Sequence, residues 1–413
     1  MFKAKRLTLD NGLQIILIKD NKKNTSGAYL TVNVGGFTKD FNMDGKDYSL
    51  NYGIAHFLEH YLIENSIYGN AMQVFGNDYI ESNGFTAPNR TVFYISTVHD
   101  FEENLVKLLN IVNNPVFDNE KIEDVKRPIL REIDKNLDNP YRRVNEESFK
   151  CVFKYIPYDV TLGEKDYISN LKIDDLKLFH KAFYNAKNEM LIVSGNFDEE
   201  RIIKLIKDTY KNFDNTHTTK KAIYDEPKEV VKKEMSTTDK DDFIRLAYKI
   251  DISKIKAKDR DKLSYYLSFV KSSNFSERSS LFKYITDNKI SNYSINFVSD
   301  FGVGNNILFL NVIMYTDKYD TGKSLLIDKI DNLEYDEEIF EKWKNKQVIT
   351  LINNLENFAS AVKDYMDNVY LYNLYQFDDI DFVKSLNLDE CKELIGKLDL
   401  SNCSIIKCKK DIK

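Results

Sequence analysis

The sequence predicts an α+β protein of two structurally similar domains, and three observations carry that prediction. The chain has 413 residues, more than one hydrophobic core ordinarily serves. Apolar patterning stops between Phe213 and Lys233, where the chain reads Asp-Asn-Thr-His-Thr-Thr-Lys-Lys and then Asp-Glu-Pro-Lys-Glu. On both sides of that break the same order is legible: a strand, helices, a strand pair, helices and a closing strand. The expected boundaries are residues 1–212, a linker at 213–234, and residues 235–413.

In the first half, Leu9-Asp10-Asn11-Gly12-Leu13 carries an Asn-Gly turn before the apolar run Leu13 to Ile18, which reads as a β-hairpin. Ala28 to Val34 alternates like a strand. Asp40 to Ser49 reads as a polar loop around Gly45. A helix is expected from Tyr52-Gly53 to about Glu64, and a short one from Ala71 to Gly76. Glu81 to Ala87 and Thr91 to Val98 read as two strands around Pro88-Asn89-Arg90. Asp100 to Asn114 is amphipathic, with Phe101, Leu105, Leu108, Leu109 and Val112 on one side, and Pro115 stops it. Asp118 is the expected N-cap of a long helix to Leu137, which Asp138-Asn139-Pro140 breaks. Helix follows from Arg142 and again from Lys172 to Phe183. Met190 to Val193 is a buried strand.

In the second half, Phe243 to Ile250 reads as a strand, with helices at Arg260 to Lys271 and Ser279 to Ile285. Tyr293 to Ser299 and Ile307 to Tyr315 read as strands joined by Phe301-Gly302-Val303-Gly304. Helices at Lys323 to Leu333, Glu337 to Leu374 and Leu388 to Leu398 precede a closing strand from Ser404 to Cys408.

The bulk properties exclude some classes of function. Charged residues make up 30% and the net charge is −6, so the basic face of a general nucleic-acid binder is not expected. Met1-Phe2-Lys3-Ala4-Lys5-Arg6 is followed by no apolar core of a signal peptide, and no stretch reads as a membrane span. The four cysteines (Cys151, Cys391, Cys403, Cys408) form no paired framework. Cys403 and Cys408 have no histidine near them. Reduced thiols in a cytoplasmic protein are the expectation.

The chemistry concentrates in Gly53-Ile54-Ala55-His56-Phe57-Leu58-Glu59-His60, which contains H-x-x-E-H. On a helix, His56 and His60 lie one turn apart on one face, and Glu59 shares that face. Two imidazoles so spaced can hold one Zn²⁺, and the carboxylate between them can hold the water the metal activates. This is the inverted form of the H-E-x-x-H zinc-peptidase motif. The plain alternative is a surface helix carrying two unrelated histidines. All five histidines precede residue 218, so the second copy of the repeat lacks the motif.

The flanks of the motif resemble the M16 family of zinc metallopeptidases, the pitrilysin and mitochondrial-processing-peptidase group. Leu9-Asp10-Asn11-Gly12-Leu13 is similar to the family's L-x-N-G-L, and Gly53 to His60 to its G-x-A-H-F-L-E-H. Asn83-Gly84-Phe85-Thr86 resembles the N-A-x-T segment. Leu162-Gly163, Ile168, Leu176 to His180 and Phe183-Tyr184 resemble the L-G…I…L…F-H…Y run, and Val193-Ser194-Gly195-Asn196 the V-x-G-D/N ending. The resemblance implies two mainly antiparallel sheets covered by helices, in the LuxS/MPP-like half-clamshell. It implies a zinc endopeptidase with His56, His60 and a distant glutamate as ligands and Glu59 as general base. Ile129-Leu130-Arg131-Glu132-Ile133 resembles the helix that supplies that glutamate, which makes Glu132 the expected third ligand. Without the resemblance Glu132 is an ordinary helix-surface acid, rivalled by Asp134 and Glu123. Asn83, Phe85, Thr86 and Ala87 are the expected substrate-binding residues, a strand edge to which a peptide adds.

Two departures from the family pattern shape the expectation. Val125 stands where a second acid often precedes the ligand glutamate, leaving that role empty or to Glu123 or Asp124. Pro128 lies inside the same helix and is expected to kink it. In the second half, Leu281 to Tyr293 resembles the segment that gives the family an Arg and a Tyr seven positions apart. Here Thr286 holds the Arg position and Tyr293 the Tyr position. The implied assembly is a heterodimer, with a second M16-like subunit supplying the Arg/Tyr pair, and a homodimer is the second choice. The implied substrates are peptides and unfolded or leader segments, taken into a chamber. A non-catalytic structural or assembly subunit of the same fold is the alternative, and a maturation protease with one client is a narrower form of the first reading.

Overall fold

The computed structural model of the chain describes residues 4–139, 141–213, 217–222, 224–302, 306–356, 362 and 380–411. Pro140, Val303, Gly304 and, apart from Val362, residues 357–374 of the long helical tract lie outside the described residues. The chain packs as two units, Met1–Asp138 with Asp159–Tyr224, and Asn139–Tyr158 with Asp225–Lys413.

Nine strands build the sheets of the first unit: β1 (Ala4–Thr8), β2 (Gln14–Lys19), β3 (Ser26–Val32), β4 (Asp40–Met43), β5 (Lys46–Ser49), β6 (Glu81–Thr86), β7 (Thr91–Thr97), β8 (Glu189–Gly195) and β9 (Thr219–Lys221). The main sheet has the order β1-β2-β8-β3-β7-β6, and a small one has the order β5-β4-β9. In the main sheet only β2 and β8 are parallel. The β1–β2 hairpin turns at Asn11-Gly12, with Gly12 at φ 94°. The Asp40–Ser49 stretch is not a loop but a second hairpin. Asp44 at φ 53° and Gly45 at φ 88° form its turn, the left-handed pair an Asp-Gly hairpin uses.

Helices Ile54–Glu64, Phe101–Asn113, Ile122–Leu137, Ile173–Phe183 and Glu199–Tyr210 share one core with the main sheet. Leu105, Leu108, Leu109 and Val112 bury the expected face of the second of these. The Ile122–Leu137 helix starts four residues after Asp118, whose carboxylate instead accepts the Glu120 N–H in the preceding turn. It runs on through Pro128 without a break.

The second unit contains β10 (Glu234–Asp239), β11 (Phe243–Asp251), β12 (Asn296–Asp300), β13 (Ile307–Tyr315) and β14 (Cys403–Lys410), in the order β10-β14-β11-β13-β12. Only β10 and β14 are parallel. The order matches β2-β8-β3-β7-β6 strand for strand: first, last, second, fourth, third, with the first and last parallel. The internal repeat read from the sequence is therefore a repeat of sheet topology.

Two stretches depart from the boundaries expected from the sequence. Helix Arg142–Val152 packs on β10, β11 and β14 and so belongs with the second unit. Glu226 helps hold it there. Its buried carboxylate meets Lys249 Nζ at 2.6 Å and accepts the backbone N–H groups of Lys154, Tyr155 and Ile156. Within the expected linker, β9 pairs with β4 and closes the small sheet of the first unit. Polar composition hid a short edge strand there. Tyr293 lies ahead of β12 rather than on it. Among the described residues no helix is long and apolar enough to cross a membrane.

Two expectations follow from this packing. Gly53 sits at φ 95°, and a Cβ there would stand 2.7 Å from Gly163 Cα. Gly53→Ala should destabilise the first unit by roughly 1–2 kcal/mol from its left-handed backbone alone, with the collision added, as read by chemical denaturation. Glu189 on β8 is buried in the same unit and accepts the Tyr210 hydroxyl at 2.6 Å. Burial pushes its carboxyl up to about 7. A raised carboxyl stabilises the fold fully below its unfolded value near 4.5, and that contribution is lost as pH rises through 7. Glu189→Gln should flatten the decline in stability over that window.

Candidate metal centre

The motif helix Ile54–Glu64 is apolar on nearly every side, and Ile54, Ala55, Phe57, Leu58, Tyr61 and Leu62 are all buried. Such a helix runs through a core rather than along a surface. It therefore carries His56 (7% exposed) and Glu59 (5%) out of bulk water. Its first hydrogen bond runs from Phe57 N–H to Gly53 C=O at 2.9 Å. The close pass of Gly53 over Gly163 fixes where the helix begins.

Glu132 comes from helix Ile122–Leu137, which packs on the motif helix. Tyr61 ties the two together. Its buried hydroxyl accepts the Asp118 N–H at 2.7 Å and faces the carbonyls of Val116 and Asp118 at 3.2 and 3.1 Å, in the segment leading into the Glu132 helix. The Phe117 ring stacks on the Tyr61 ring.

The outcome is a convergence of three donors. Glu132 Oε2 stands 3.6 Å from His56 Nε2 and 3.9 Å from His60 Nε2. One ligand atom from each residue lies within 4.8 Å of the others, and among the described residues this is the group of acids, histidines or cysteines able to hold a metal ion. Bonds of about 2.0–2.1 Å to a tetrahedral zinc put neighbouring ligand atoms roughly 3.3 Å apart, so these spacings suit one ion after a small contraction. They are too long for hydrogen bonds, so the donors are not satisfied by one another. The site fits zinc.

Electrostatics agree with the geometry. Burial, aided by the neighbouring His60, holds His56 down at about 3, so its imidazole is neutral, as a ligand must be. His56 Nδ1 is buried with no hydrogen-bond partner. His60 behaves otherwise. Burial opposes its charge, but Glu64, Glu59 and Glu132 together outweigh it and raise its pKa. Glu64 Oε1 lies 3.8 Å from His60 Nδ1, a carboxylate behind a ligand. Burial pushes Glu59 up to about 7, against the pull of His60 and of the hydrogen bond from Thr86.

The rival acids are committed elsewhere. Asp134 is paired with Lys165 Nζ at 2.7 Å, and Glu123 with Lys126 Nζ at 2.7 Å. Asp124 is paired with Arg127, and Val125 is a core residue. Neither Glu123 nor Asp124 lines the cleft.

The cleft over the triad has a volume of about 640 Å³. β6, the edge strand of the main sheet, forms one wall with Asn83, Phe85 and Thr86. Ala87, expected with them, lies past the strand and outside the cleft. Its N–H donates to Arg90 C=O and its C=O accepts the Gly36 N–H, so its backbone is closed into the turn. Sequence reasoning missed Glu64, Asn136 and Asp159. Glu64 sits four residues after His60, a spacing that was readable. Asn136 donates to Asp159 at 3.3 Å, a contact that only tertiary structure makes. In the second unit, Thr286 lies in helix Ser280–Asp287 with its hydroxyl on Phe282 C=O, and Tyr293 is 67% exposed.

Comparison with known proteins gives the site its context. Residues 14–156 match the profile of insulinase, peptidase family M16, and residues 170–347 match the M16 inactive domain. A zinc protease of Bacillus subtilis, YmfH, is 30% identical over 203 residues, 48% of this chain and 47% of the relative. The zinc protease PqqE of Helicobacter pylori is 26% identical over 226 residues, 52% of this chain and 48% of that one. Each match thus spans about half the length of the curated relative. In fold, an M16-like peptidase from Alicyclobacillus acidocaldarius superposes with a TM-score of 0.83 at 18% identity, covering 99% of both chains.

The centre predicts metal binding directly. The chain should bind one equivalent of zinc, read by elemental analysis after dialysis. His56→Ala, His60→Ala and Glu132→Ala should each lose it, whereas Asp134→Ala should bind as the parent does.

Proposed function

Because this chain belongs to the M16 peptidase family, in its short two-domain form, we propose that it is a zinc-dependent endopeptidase. The observation that carries this reading is the convergence of His56, His60 and Glu132 beside the buried Glu59. When bound, zinc supplies Lewis acidity toward a peptide carbonyl and toward water. His56, His60 and Glu132 would hold it beside the cleft. Glu59 acts as the general base, taking a proton from the attacking water and delivering it to the leaving amine. An extended peptide adds to the outer edge of β6, where main-chain hydrogen bonds bind it with little demand on its sequence. Peptides and unfolded or leader segments are the substrate class.

The chain acts as the zinc-bearing subunit of a heterodimer, whose partner is a second M16-like chain. Thr286 in place of an arginine supports this, because the second half then lacks the Arg/Tyr pair that the resemblance calls for. Two such chains enclose a chamber that admits flexible segments and excludes folded proteins.

An unstructured peptide tests the reading, with the zinc-loaded chain assayed alone and with the M16-like partner. Glu59→Gln should retain zinc and lose about 10²–10⁴-fold in cleavage rate, the usual worth of a general base. Undiminished cleavage by that variant sinks the mechanism. Cleavage that appears only with the partner supports the heterodimer, and full activity of the chain alone favours a homodimer.

A further inference from the structure

Alternate residues of a strand share a face, so Gly84 and Thr86 point the same way from β6. Both meet Glu59. Thr86 Oγ1 donates to Glu59 Oε2 at 3.0 Å. At Gly84, a Cβ would stand 3.0 Å from Glu59 Oε1, 3.3 Å from its Cγ and 2.9 Å from Ile63 Cδ1. The strand thus tethers one oxygen of the carboxylate through Thr86.

A glutamate side chain has several rotatable bonds, and holding it in one pose costs entropy. A buried carboxylate also needs a donor, since its desolvation is otherwise uncompensated. The Thr86 hydroxyl meets both needs. The motif helix cannot do so alone, because it fixes only the Cα of Glu59. We infer that Thr86 is a positioning residue that holds Glu59 for proton transfer. This revises the expectation that Thr86 serves to contact substrate, and it rests on the peptidase reading above.

Isosteric changes separate the roles. Thr86→Val keeps the shape and removes the donor, and Thr86→Ser restores the hydroxyl. In the complex that cleaves peptide, Thr86→Val should lower kcat by about tenfold or more, as misplaced catalytic groups do, while KM and bound zinc stay within about twofold. Thr86→Ser should recover most of the loss. A raised KM with kcat unchanged would make Thr86 a substrate contact and overturn the inference, as would a serine variant no better than valine. A cycle on the metal-free chain needs no activity: Thr86→Val and Glu59→Ala should be non-additive in denaturation, by roughly threefold or more in the unfolding constant. Additivity there overturns the inference. If the parent complex cleaves nothing, the peptidase reading fails and the cycle still decides the contact.

Discussion

The burial of His56 and Glu59 inside an otherwise apolar helix is the constraint on which the first unit depends. An imidazole and a carboxylate taken out of water carry a large desolvation cost. His56 meets it by staying neutral, with Nε2 turned toward Glu132. Glu59 meets it with the Thr86 hydroxyl and a raised pKa. His60, nearer the surface, is held by carboxylates instead. One helix thus places two histidines one turn apart whose pKa values are shifted in opposite directions. A metal ion would unify them, because both must be neutral to ligate it.

The surrounding elements follow from that constraint. The helix has to enter the core at a fixed height, and the Gly53–Gly163 approach sets it. Glu132 has to arrive from a helix whose Cα positions are far along the chain, and the Tyr61 hydroxyl registers that helix through Asp118. The edge strand β6 closes the remaining side. It ends the sheet order beside β7, and one face touches Glu59.

These features were unequally legible in the sequence. The motif helix, the Asn-Gly hairpin and the repeat were visible because each is local: a period, a turn dipeptide, an order of elements. The Asp44-Gly45 hairpin was missed although its turn signal was present, because Asp-Phe-Asn-Met and Lys-Asp-Tyr-Ser are too short and polar to read as strands. β9 was missed for the same reason. Helix Arg142–Val152 was legible as a helix, but its membership of the second unit was not. That membership depends on Glu226 meeting the backbone at residues 154–156, about seventy positions earlier. Within the centre, the 56–59–60 spacing was readable from the helix repeat, whereas Glu132 needed family resemblance to stand out from Glu123 and Asp134. The contact of Thr86 with Glu59 was not legible, since a strand residue's partner across a helix face is a tertiary fact.

The repeat shows what the metal centre adds to the fold. In the second unit the helix that follows the β2/β3-equivalent strands, Ala257–Val270, buries Leu263, Tyr266, Leu267, Phe269 and Val270. Its counterpart in the first unit buries two ionisable groups among similar neighbours. Tyr266 donates its hydroxyl to Glu390 Oε2 at 2.7 Å and accepts the Asn387 N–H at 3.4 Å. A matching sheet order therefore tolerates either filling, and the apolar one avoids the desolvation of His56 and Glu59. The first unit buries an imidazole and a carboxylate side by side there, although nothing in the shared topology requires it. Stability alone gives no reason for the buried pair.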